Sequence, residues 1–74
     1  MKISRNQILR RIRDAGWHFK RHGRRVEIWK RPNNAQRLPL PKCKEYEEPL
    51  ARVVLTQAGL AHEEIEEFLS ATVK

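Results

Sequence analysis

The chain has 74 residues, room for one small domain, which excludes two-lobed enzymes, Rossmann and barrel folds, and any large internal pocket. Its 16 Lys and Arg against 9 Asp and Glu leave a formal charge of +7, so a polyanion or an acidic protein surface is the first partner to expect. Charge alone supplies no chemistry.

The opening Met1-Lys2-Ile3-Ser4 lacks the apolar stretch of a signal peptide, and no later run nears the ~18 apolar residues of a membrane span. Cytoplasm, with no membrane contact, is the expectation. Ser4 and Gln7 stand at capping-box spacing, with Ile3 and Ile8 placed to form a hydrophobic staple. Ile8, Leu9, Ile12 and Ala15 recur on one helical face, and Gly16 suits the left-handed residue that ends a helix. This predicts a helix over residues 5–15, with Arg10 and Arg13 on its solvated side.

From Trp17 the pattern turns to aromatic and β-branched residues with polar spacers, broken at His22-Gly23. A β-hairpin over about 17–22 and 25–31 follows. Pro32-Asn33-Asn34 marks a turn, and Gln36 to Pro39 is long enough for a third short strand, which Pro39 confines to an edge. Pro41 to Glu47 reads as a loop; the lone Cys43 within it offers no internal disulfide or thiolate zinc cluster and fits a reducing compartment. Pro49 opens a helix whose apolar face is Leu50, Val53, Val54 and Ala58, and Gly59 stops it. An acidic amphipathic helix over 62–73 closes the chain, Ile65, Phe68 and Leu69 on one side and four glutamates on the other.

The fold class expected is therefore α+β: a small two-layer sandwich, α-β-β-β-α-α, in which helices cover one face of a three-stranded antiparallel sheet. One domain spans 1–74, its core in 4–60. Charge is segregated along it. Residues 1–32 hold eleven cations and two anions, and residues 33–74 five and seven. Lys20, Arg21, Arg24, Arg25, Lys30 and Arg31 are thus the candidate phosphate-binding set. Trp17, Phe19 and Trp29 offer stacking surfaces for unpaired bases, although a core this small needs at least one of them.

Glycine phosphate loops, paired metal-ligand histidines and nucleophile elbows are missing from the sequence, so no cofactor and no metal is expected. Metal-free RNA cleavage is the main catalytic option left, because the ribose 2′-hydroxyl is a built-in nucleophile that needs a base, a proton donor and cations. His18, Lys20 and His22 share one side of the first hairpin strand by simple alternation, and His22 beside Arg24 and Arg25 is the candidate base. His62 reads as a residue opening the last helix.

The layout resembles the HicA toxins, small ribonucleases of bacterial toxin–antitoxin pairs with a fold like the double-stranded-RNA-binding domain. Ala15-Gly16-Trp17, Arg21-His22-Gly23, Ile28-Trp29 with Pro32, Leu38-Pro39, Glu48-Pro49-Leu50 and Leu55-Thr56-Gln57-Ala58-Gly59-Leu60 carry the resemblance over about residues 4–69. It implies a metal-independent mRNA endoribonuclease, neutralised by an acidic antitoxin of the HicB type. Two positions depart from the family pattern. Val26 occupies the slot of the family's catalytic histidine, and Pro41 that of a second histidine. Both weaken catalysis and leave two alternatives: a non-catalytic RNA-binding module, or a protein-interaction domain using its basic face.

Overall fold

A computed structural model describes residues 2–72. A short strand β1 (Lys2–Ser4) leads into α1 (Arg5–Asp14), followed by β2 (His18–His22), β3 (Val26–Lys30) and β4 (Arg37–Pro41), then β5 (Glu45–Glu47), α2 (Glu48–Gln57) and α3 (His62–Thr72). The α+β class and the three-stranded antiparallel meander, ordered β2-β3-β4, are as expected. Position 73, assigned to the last helix from sequence, lies outside the described residues.

Local chemistry sets the helix ends. Ser4 Oγ accepts from the Gln7 backbone N–H at 3.3 Å, and the Ser4 N–H donates to Gln7 Oε1 at 3.2 Å, closing the capping box. Both α1 and α2 stop at a glycine in the left-handed region, Gly16 at φ +96° and Gly59 at φ +91°. Past each glycine the chain folds back: the Trp17 N–H donates to Ile12 O and the Leu60 N–H to Leu55 O. Pro49 occupies the first turn of α2, where no intrahelical donor is needed.

The segment 41–47 departs from the expected loop. Its last three residues form β5, which pairs antiparallel with β1, Ile3 opposite Tyr46, in a separate two-stranded sheet. Strands of three residues are too short for a period-2 signal, and what holds them is tertiary: Ile3 and Tyr46 are both fully buried. The Tyr46 hydroxyl donates to Pro41 O and accepts from Arg5 Nη1.

Alternation along β3 and β4 divides the meander into two faces. Glu27, Trp29, Leu38 and Leu40 point inward and are buried; Ile28, Lys30, Arg37 and Pro39 point outward. Trp29, Leu38 and Leu40 join Ile8, Ile12 and Trp17 and the apolar faces of α2 and α3 in one core. Trp17 is buried with its indole N–H satisfied, donating to Ala58 O at 2.9 Å across the ends of both glycine-stopped helices. The outward positions are exposed or half-buried, and no helix among the described residues is long and apolar enough to cross a membrane.

Candidate nucleic-acid interface

The register of the hairpin decides which side chains share a face. His18 lies opposite Lys30 and Phe19 opposite Trp29, but the next pair is Arg21 with Ile28, then His22 with Glu27. Lys20 is the extra residue of a β-bulge, where two residues on one strand face one on the other. Simple alternation of His18, Lys20 and His22 along one side is therefore overturned. The bulge keeps Arg21 on the outer face with His18 and turns His22 to the helix side with Phe19. Sequence periodicity has no means of locating such an insertion.

The outer face consequently gathers cations. Lys30 pairs with His18 on one side and Arg37 on the other, and Lys20 and Arg21 continue the row toward the turn that holds exposed Arg24 and Arg25. Apart from the cations and His18, the outward positions of the three strands are Val26, Ile28, Pro39 and Pro41, with no carboxylate among them. The crowding is felt at Lys20: Arg37 foremost, with desolvation, Arg21 and Lys30 adding to it, holds its ammonium pKa below the ordinary lysine value. Arg37 is absent from the sequence candidates because it follows the turn, apart from the basic stretch 1–32; only the strand pairing sets it opposite Lys30 and within electrostatic reach of Lys20. Lys42 is a second addition, its ammonium donating to Gly23 O at 3.1 Å and so bracing the hairpin turn next to Arg24 and Arg25.

Of the sequence candidates, Arg31 and His22 lie apart from this row, and Val26 marks the slot of the family's histidine. Arg31 stacks on buried Trp17, its guanidinium 4.7 Å from the ring centroid, and its side chain passes over Gly16 and Gly59. Val26 is half-buried on β3, and its carbonyl accepts from the Gly23 N–H at 2.7 Å to close the turn. Its side chain has nothing to titrate.

On the helix side of β2, an open cleft of ≈ 310 Å³ lies between α1 and the hairpin. Arg5, Leu9 and Arg13 come from α1 at helical spacing; Phe19, His22, Glu27 and Trp29 come from the strands. Arg13, exposed on α1 as expected, also reaches over Trp29 with its guanidinium 5.5 Å from the ring centroid. His22 sits against Phe19, ring centroids 4.9 Å apart, and its Nδ1 is 4.0 Å from Glu27 Oε2. Arg5 and the Trp29 indole both donate to Glu27 Oε1. Burial pushes the Glu27 carboxyl up, but the hydrogen bonds from Arg5 and Trp29, with the charges of Arg5 and His22, outweigh it and hold the group below its ordinary value.

Of the three candidate aromatics, Trp17 and Trp29 serve the core and Phe19 is the exposed one, 43% open. His62 stands at the start of α3, its Nε2 3.9 Å from Glu66, far in sequence from either basic element. Among the described residues no group of His, Cys, Asp or Glu is arranged to hold a metal ion. Compared with models of protein families, with curated proteins and with solved structures, the chain gives no match.

Proposed function

We propose that this protein is an RNA-binding domain of the HicA type, which lays a phosphodiester chain along the open face of its meander and is neutralised by an acidic HicB-like antitoxin. The observation that carries this reading is the row of Lys20, Arg21, Lys30 and Arg37 on a sheet face with no carboxylate, crowded enough to depress the lysine's pKa. Such uncompensated charge costs stability in the free protein and is relieved when phosphates take the place of solvent and counterions. Arg24 and Arg25 at the turn lengthen the track.

Two histidines of β2 border this track: His18 stands on it opposite Lys30, and the candidate base His22 is reached around the free edge of the strand. His22 would remove the 2′-hydroxyl proton as that oxygen attacks phosphorus, Arg24 and Arg25 at the adjoining turn would face the developing phosphorane charge, and the 5′-oxygen would leave with a proton from water. Val26 in the family's histidine slot favours a second reading, a module that binds RNA and leaves it intact. One experiment separates the two. Single-stranded RNA is incubated with the protein in excess chelator and resolved on a denaturing gel beside His22→Ala. A ribonuclease working through His22 loses about 100-fold or more of its cleavage in the variant, whereas the binding module returns full-length RNA from a salt-sensitive complex. RNA that is neither cut nor bound contradicts both.

A further inference from the structure

The cleft between α1 and the hairpin contains a feature that phosphate binding leaves unused. Glu27 is 9% exposed, and its two carboxylate oxygens are treated differently. Oε1 accepts from both Arg5 and Trp29, while Oε2 takes no hydrogen bond among the described residues and has His22 Nδ1 4.0 Å away. On this mostly buried carboxylate the oxygen with spare acceptor capacity is the one open to the cleft, beside the exposed ring of Phe19.

The surroundings narrow what fits there. A phosphate would meet the carboxylate head-on, and a cationic side chain would meet Arg5, Arg13 and His22. A flat neutral group with an N–H donor suffers neither penalty. We propose that this cleft is a base-reading pocket that takes one unpaired nucleobase bearing an exocyclic amino group, stacked on Phe19, with the amino group donating to Glu27 Oε2. Cytosine, adenine and guanine carry such an amino group. Uracil offers only its ring N–H, flanked by two carbonyl oxygens that oppose the carboxylate.

The bulge supplies the route. Lys20 and Arg21 leave β2 on the outer face, while Phe19 and His22, the residues on either side of them, enter the cleft. Because β2 is an edge strand, a single RNA strand crossing its free edge sets phosphates on Lys20 and Arg21 and drops a base over Phe19. The pocket thus rests on the RNA-binding reading and adds base preference to it.

The test compares oligocytidylate with oligouridylate of equal length by fluorescence anisotropy. The wild type binds the cytidine strand about fivefold or more tighter, as expected when one amino-to-carboxylate contact is made or missing. Phe19→Ala and Phe19→Leu, both at an exposed position, weaken binding of the cytidine strand by about five- to hundred-fold, and Phe19→Tyr restores it, because stacking needs the ring and not its bulk. Lys30→Ala weakens both strands and keeps their ratio. Salt-sensitive binding with equal affinity for the two strands, or unchanged by Phe19→Leu, overturns the pocket and leaves the basic face standing. Failure to bind either strand overturns both.

Discussion

Glu27 is the residue on which the cleft turns, and its protonation links the site to stability. Its folded pKa lies below the ordinary 4.5 because hydrogen bonds from Arg5 and Trp29 outweigh burial. A depressed carboxyl contributes stability that is fully present above 4.5 and is lost as the pH falls through the folded value, since the unfolded chain takes up the proton first. Glu27→Gln removes that contribution. In thermal melts from about pH 6 down to about pH 3, the wild type is expected to be the more stable protein at the upper end, with the gap closing on acidification. A gap that stays constant would mean that the carboxylate charge does not support the fold. Little of this residue's role was visible beforehand, because Glu27 looks in sequence like one of two stray anions in a basic stretch; its pairing with Arg5, 22 positions away, exists only once α1 packs on the meander.

Among the elements, those legible in sequence are the ones whose signals are local. The capping box at Ser4, the glycine stops and the period of Ile8 and Ile12 each lie within a few residues of what they determine, and α1 and α2 stand within one or two residues of their expected limits. β1, β5 and the bulge at Lys20 depend on partners dozens of residues away or on a single inserted residue, and periodicity carries neither. Arg31 shows the same limit from the side of function. It reads as one more cation at the end of β3, yet it packs across the junction where α1 and α2 end, over Gly16, Gly59 and the Trp17 ring. A guanidinium over a buried indole is worth about 0.5–2 kcal/mol. Arg31→Ala is accordingly expected to lower Tm by several degrees, at roughly 4–8 °C per kcal/mol for a domain this small, while leaving the salt dependence of RNA binding unchanged. Loss of RNA affinity without loss of Tm would move Arg31 into the phosphate track.

At the scale of the whole molecule, the sandwich divides its charges by layer. Arg52 on α2 bridges Glu48 and Glu66, and Arg11 meets Glu64 at 3.3 Å, so part of the basic charge on the helical side is answered by the acidic α3. The outer sheet face has no such answer. A small domain is stable by only a few kcal/mol, and a row of like charges on one face runs against that margin; binding a polyanion returns it. Ionic strength probes this exchange of counterions for phosphate. Each phosphate neutralised on single-stranded RNA contributes about −0.7 to the slope of log K against log salt, so four to six cations predict a slope of about −3 to −4. Replacing Lys30 and Arg37 together is expected to reduce its magnitude by about 1.4. A slope near zero, or one that the double replacement leaves untouched, would mean that the open sheet face does not bind phosphate.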